Sequence, residues 1–318
     1  MRRILNFVLR AIVSGILLYF AFTKVNFNLI GQRLDRIDYR WLAAAIFVFM
    51  AQTMVGALRW HKIVGRCEGP EKSPFTAPNA ILYSFIAAFF NQTLPSTIGG
   101  DAVRIWLLGR DQGGWRLAAY SVLIDRFIGV LVLALLVILC MPWSFALIGD
   151  IAGRIALLIV GFGSVAACLA FIALGFIRWP WLDRWRPTRE LVAAASTARD
   201  VFNSPSSGPP IVAYSLLSHF MSATAAWCLA KSLAAPLEWS QALLLILPVL
   251  LIATIPLSIA GWGTRETAMV LAFGYAGLPE GDGLVVSILM GIAMFAVGLA
   301  GGVLWILDRG KRRLHPPP

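Results

Sequence analysis

Residues 256–266, Pro-Leu-Ser-Ile-Ala-Gly-Trp-Gly-Thr-Arg-Glu, set a proline, two glycines and the adjacent Arg265 and Glu266 inside a long apolar run. In hydrocarbon, backbone released by Pro and Gly must find partners in protein or in a wet cavity. A charged side chain at the bilayer centre costs about 2.5 to 3.5 kcal/mol on insertion scales. Such a stretch does not suit an ordinary crossing helix and predicts a helix break that faces other protein. Residues 95–104 repeat its pattern, P-x-x-I-x-G-x-x-x-R, pairing Pro95 with Pro256, Ile98 with Ile259, Gly100 with Gly261 and Arg104 with Arg265. Two breaks that share a pattern suggest an internal repeat.

The chain around these breaks is 59% hydrophobic and only 14% charged over 318 residues, where a soluble domain carries about 25% charged residues. It reads as an all-α polytopic membrane protein forming a single transmembrane domain over residues 1–318. The net charge of +11 would suggest nucleic acid in a soluble protein. Here the basic residues flank apolar spans, as cytoplasmic loops do, so no nucleic-acid partner is expected. Cys67, Cys140, Cys168 and Cys228 sit singly with no C-x-x-C; they read as small buried hydrophobes, and neither a metal nor another cofactor is expected. Met1-Arg2-Arg3 before an apolar run reads as the start of a retained first helix.

With ~20 apolar residues per crossing, six full spans fall at residues 5–25, 41–58, 118–141, 153–177, 211–232 and 284–307. Segments 77–109 and 240–278 fit as two re-entrant helical hairpins. Loop charge supports this: residues 178–210 hold five arginines and the tail after residue 308 holds Arg309, Lys311, Arg312 and Arg313, so both should be cytoplasmic. Were 240–278 one crossing, the tail would lie outside. The first hairpin should then open from the cytoplasm and the second from outside, the plan of an inverted repeat. Loop 32–40, with Arg33, Arg36 and Arg40 on the predicted outer side, runs against the rule. In the cytoplasmic loop, Leu191, Ala194, Ala195, Ala198, Val201 and Phe202 recur at helical spacing and predict an interfacial amphipathic helix, a lid on the bundle.

Three acidic and three basic residues lie in apolar surroundings: Asp101, Asp125 and Glu266 with Arg104, Arg126 and Arg265. Asp125 and Arg126 are about eight residues into their span, ~12 Å deep. One reading is a salt-bridge network that pins the hairpins. The other is a polar cavity in which guanidinium groups bind a phosphate bidentately while carboxylates hold them, helped by amides of the helices beginning after Gly100 and Gly263. The candidate substrate-binding set is Asn91, Gly100, Asp101, Arg104, Asp125, Arg126, Ser258, Arg265 and Glu266. His219, beside Ser215, Ser218 and Ser222 on one face, reads as a core histidine bonded to a neighbouring helix. Gly291, Gly298, Gly301 and Gly302 read as close helix packing. Metalloprotease, serine-hydrolase and P-loop motifs were sought and not found, so no catalytic residue is named and the chain reads as a transporter, not an enzyme.

Asn91 with Leu94-Pro95 and residues 99–104, then Asp125-Arg126 with Gly129, then residues 256–266 together resemble the flippase-like family that includes the transmembrane region of lysylphosphatidylglycerol synthases. The resemblance implies a polytopic inner-membrane protein that handles lipids; in the synthases this region is associated with moving the aminoacylated lipid across the bilayer. Other members resembling this chain are linked to hopanoid, glycolipid and polyprenyl-phosphate pathways. The sequence ends shortly after the last span, so lysine transfer is not expected. The expected function is transbilayer movement of an amphiphilic lipid with a phosphate-containing headgroup, the lipid itself being the partner. Two rivals fit the same residues: an integral-membrane glycosyl- or phosphotransferase acting on a lipid-linked substrate, and a non-catalytic membrane partner of a lipid-biosynthesis enzyme.

Overall fold

A computed structural model describes residues 2–23, 31, 37–67, 75–94, 98–112, 114–176, 186–255 and 263–314, with side chains from residue 12 onward except those of 186, 187 and 309–314. Eleven helices account for nearly all of these residues, and no strand occurs among them. In chain order they are α1 (Arg2–Thr23), α2 (Tyr39–Cys67), α3 (Ala77–Thr93), α4 (Gly99–Gln112), α5 (Trp115–Leu147), α6 (Ile151–Leu174), α7 (Arg186–Phe202), α8 (Gly208–Ser232), α9 (Trp239–Ala253), α10 (Thr264–Tyr275) and α11 (Glu280–Leu314).

Five of them, α2, α5, α6, α8 and the Glu280–Asp308 part of α11, are long and apolar enough to cross a bilayer. The first predicted span is α1, and its part with described side chains, Ile12–Thr23, is apolar. The two interrupted segments are pairs of short helices. α3 and α4 have 17 and 14 residues, and α9 and α10 have 15 and 12. At 1.5 Å per residue each is ~18 to 26 Å long, short of the ~30 Å hydrocarbon core. In each pair the second helix packs back on the first, as hairpin arms do. Residues 95–97 and 256–262, Ser258 among them, lie outside the described residues.

The hairpins are anchored differently. α3 and α4 pack together so closely that a Cβ on Gly100 would stand 2.3 Å from the Ala87 carbonyl oxygen. On its other side α3 lies along α11, where a Cβ on Gly301 would meet the Phe85 carbonyl oxygen at 1.8 Å and one on Gly302 the Phe89 ring at 2.9 Å. Of the glycines expected to pack closely, Gly298, Gly301 and Gly302 thus form the α3–α11 seam, a backbone approach of the kind that holds helices together where lipid offers no hydrophobic drive. α10 packs on α9, α11 and α1. Gly263, which caps α10 with φ +95°, lies against α1, its added Cβ only 2.9 Å from the Ser14 carbonyl oxygen, and Thr267 Oγ1 donates to the Leu17 carbonyl at 2.9 Å.

α7 forms where the amphipathic pattern placed it and packs mainly on α6 and α5. Ala194, Ala195, Ala198 and Val201 are buried, while Leu191 and Phe202 are about 40% exposed. The buried stripe is thus narrower than the sequence pattern and built of small side chains, which lets the helix lie close. Of the cysteines, Cys168 and Cys228 are buried, whereas Cys67 and Cys140 are only partly so.

Candidate functional site

Three helices bring their charges to one place inside the bundle. Asp101 and Arg104 are one turn apart on α4 and so share a face; Asp125 and Arg126 come from α5 and Arg59 from α2. Asp125 Oδ1 accepts from Arg59 Nε at 2.8 Å and Oδ2 from Arg104 Nη1 at 3.0 Å. Asp101 Oδ2 accepts from Arg126 Nε at 2.7 Å, with Arg104 Nη1 3.8 Å from Oδ1. Both aspartates are buried, at 6% and 3% exposure. Behind them, the Arg104 guanidinium lies over the Trp60 ring, 4.1 Å from its centroid, and Trp60 Nε1 donates to Ser121 Oγ. Arg59 Nη1 donates to Ser215 Oγ at 3.2 Å.

Three guanidinium groups against two carboxylates leave one positive charge, in surroundings where screening by water is weak. The sequence count of three acids and three bases is corrected by Arg59, the fourth base. Two buried polar atoms here lack a hydrogen-bond partner among the described residues: Arg104 Nε and Ser84 Oγ. An orphan donor of this kind costs about 1 to 3 kcal/mol, and an anion with its oxygens in the site would relieve it.

The network opens onto a cavity of about 260 Å³ lined by Arg59, Ser84, Asn91, Asp101, Arg104, Asp125 and Arg126 together with small residues of α2 and α3. A second cavity of about 280 Å³ shares Thr53, Gly56, Ala88 and Asn91 with the first, so the two adjoin along α2 and α3. Gln52, Gln92 and Ser218 make this second part polar but uncharged. Ser222 Oγ donates to the Ser218 carbonyl and therefore accepts from Gln52 Nε2, which fixes that amide and leaves Gln52 Oε1 buried without a partner among the described residues. A third cavity, of about 400 Å³, lies on the other side of the Asp101–Arg126 pair and is otherwise mostly apolar. Thr254, just past the end of α9, also lines this third cavity, so residues flanking both hairpins reach it.

Arg265 and Glu266 sit apart from this network. Arg265 Nη2 donates to Glu266 Oε1 at 2.8 Å and its Nε to Ser287 Oγ at 3.0 Å, while Nη1 is 3.9 Å from the Met294 sulfur. Ser287 Oγ also donates to Glu266 Oε1 at 3.1 Å, and the fully buried Glu266 turns its other oxygen back to accept from Gly263 N–H at 2.7 Å. Both partners on the neighbouring helix belong to α11, so the pair fastens α10 to the last span. Its link to the polar groove is Met294, which lines the second cavity.

Asn91, Asp101, Arg104, Asp125 and Arg126 thus come together as the sequence suggested. Asn91 has a further task, because its Oδ1 accepts from Gly100 N–H at 2.8 Å. That bond and the Gly263–Glu266 bond consume two amides expected to point at an anion, so these helix starts are capped by protein. The shared pattern also lands differently on the two hairpins: Arg104 is in the second turn of α4, but Arg265 is in the first turn of α10. His219 Nε2 lies 3.0 Å from the Gly129 carbonyl oxygen, the interhelical bond expected of it.

A family profile described as the lysylphosphatidylglycerol synthase TM region matches residues 7–302. No curated protein matches the chain. The match takes in all three arginine-bearing helices of the cavity, both hairpins and the Arg265–Glu266 pair. On that coverage the chain belongs to the family of the lysylphosphatidylglycerol synthase transmembrane region.

Proposed function

We propose that this protein moves an amphiphilic lipid with a phosphate-containing headgroup between the leaflets of the inner membrane, its Arg-rich loop 178–210 and its tail facing the cytoplasm. The observation that carries the reading is the polar cavity with three arginines and two aspartates. Its excess positive charge and its planar, two-pronged donors suit a phosphate, and the aspartates hold those donors in place. The adjoining uncharged cavity, with Gln52, Gln92 and Ser218 in its wall, offers polar groups to the rest of the headgroup along α2 and α3. A transferase acting on a lipid-linked substrate fits less well, because Asp101, Asp125 and Glu266, the bases it would use, already accept from arginines at 2.7 to 3.0 Å. The test is translocation in phosphatidylcholine vesicles doped with fluorescent phosphatidylglycerol, phosphatidic acid, a glycolipid or a polyprenyl phosphate. Movement of at least one phosphate-bearing lipid, lost in Arg104→Ala protein, is expected. Rates equal to those of empty vesicles for the whole panel would overturn the reading.

A further inference from the structure

The Asp101–Arg126 ion pair lines two cavities at once. On one side is the charged cavity. On the other is the larger space of about 400 Å³ between α4 and α5, walled by Ile98, Ile105, Ala119, Val122 and Leu123. Ile98 and Leu123 at its rim are 56% and 40% exposed, and the Arg126 side chain is 49% exposed while Asp101 is at 9%. In a membrane-spanning bundle, the medium outside such an apolar rim is hydrocarbon. A half-exposed arginine among these side chains lies where the charged end and the greasy end of one amphiphile would meet.

We infer that the apolar space between α4 and α5 is a hydrocarbon-chain subsite, holding the proximal part of one acyl or isoprenoid chain while the phosphate of the same molecule lies across the Asp101–Arg126 pair against Arg59 and Arg104. The inference rests on the proposed handling of a phosphate-bearing lipid and adds where the chain leaves the protein. Arg126 occupies the crossing point: its Nε is held by Asp101 at 2.7 Å, which turns the guanidinium edge along the boundary between the two spaces. The lining favours a hydrocarbon chain: beyond the ion pair and Thr254, whose hydroxyl already donates to the Leu251 carbonyl, the five side chains that wall the space offer no hydrogen bond, and a polar group placed among them would be left unsatisfied.

Binding measured as a function of chain tests this. Purified protein in detergent is titrated with glycerol 3-phosphate, dihexanoyl-phosphatidylglycerol and dioleoyl-phosphatidylglycerol, following thermal unfolding. Ala119→Trp fills the space, and Leu123→Trp does so from a position exposed enough to accept bulk without disturbing the core. For wild-type protein the affinity should rise at least tenfold from glycerol 3-phosphate to the dioleoyl lipid; in both variants that rise should largely vanish while glycerol 3-phosphate binds as before. An equal rise in wild type and both variants, or none in wild type, overturns the subsite. Leaflet translocation is read separately in vesicles: a wild-type protein that shows the chain-dependent rise but moves no lipid would sink the transport reading and leave the subsite standing.

Discussion

Arg59 Nε lies 2.8 Å from Asp125 Oδ1, joining α2 to α5 in the interior of the bundle. The same aspartate is held on its other oxygen by Arg104, so removing Arg59 leaves Asp125 half-compensated. Breaking a buried ion pair costs about 3 to 5 kcal/mol when nothing replaces it, and Arg104 should keep the loss at or below the lower figure. Arg59→Ala is expected to lower the unfolding temperature and abolish translocation. The double change Arg59→Met with Asp125→Asn removes both charges and should recover most of the stability without the transport. Recovery of both together would mark the network as a structural pin.

Gly56 lines both polar cavities, and a Cβ built there meets no atom within 4 Å. It sits inside α2, where Gly is less favourable than Ala by roughly 0.8 to 1 kcal/mol. Gly56→Ala should therefore hold or raise stability. Gly56→Leu should keep the fold but push its side chain into the groove, cutting translocation by at least tenfold. Thermal unfolding and the vesicle assay on the same preparations check this; a Gly56→Leu protein that transports at the wild-type rate would exclude the groove as the route.

The helix breaks were legible because Pro and Gly inside apolar runs have few physical uses, and Asp101, Arg104, Asp125 and Arg126 because charge in such runs is costly. Arg59 escaped for the opposite reason. It stands at the end of its apolar run beside Lys62 and Arg66 and reads as one more interfacial base, but α2 continues to Cys67 and carries Arg59 inward against Asp125. Its signal was the length of the helix, which local hydropathy does not reveal. The repeated pattern misled in the other direction. It aligned Arg104 with Arg265, yet α4 starts five residues before its arginine and α10 only one residue before, so the two side chains meet different neighbours. Ser287, in the last span, and Ser84, in a hairpin arm, are single polar residues among apolar ones and carried no pattern at all.

On α7, Glu190 accepts from the Tyr120 hydroxyl and, at 2.8 Å, from Arg116 Nη2, tying the amphipathic helix to the start of α5. The Tyr120 hydrogen bond, aided by Arg116 and Arg189, holds the Glu190 carboxyl below its ordinary value of 4.5. A depressed carboxyl contributes stability that is present above its unfolded value and is lost as pH falls through the folded one. Docking of α7 should thus be intact at neutral pH and loosen only below the usual carboxylate range. Hydrogen exchange over residues 188–202, corrected for the intrinsic slowing of amide exchange at low pH, should speed up on acidification in wild type. In Glu190→Gln protein it should be faster already at neutral pH and less sensitive to acid. Identical acid profiles for the two proteins would show that α7 is held by its alanine stripe alone.

Arg265 invites two forecasts that one pair of variants separates. Its Nη2 and Nε engage Glu266 and Ser287 at 2.8 and 3.0 Å, and Glu266 is fully buried. Arg265→Ala therefore strands a buried carboxylate with, among the described residues, Ser287 Oγ and Gly263 N–H left to serve it, and a loss on the order of 3 to 5 kcal/mol is expected. Arg265→Lys supplies charge but not the planar fork that reaches Glu266 and Ser287 together, so it should recover only part of that loss. The informative protein is Arg265→Met combined with Glu266→Gln, which removes both charges and keeps two long side chains against α11. If the pair serves only to fasten the second hairpin to the last span, this double variant should unfold near the wild-type temperature and still translocate lipid. If Arg265 also meets the headgroup by way of Met294 and the groove, the double variant should be stable and inactive. We expect the second outcome, because Met294 contacts Arg265 and lines the polar groove at once; a stable, fully active double variant would confine Arg265 to a structural role.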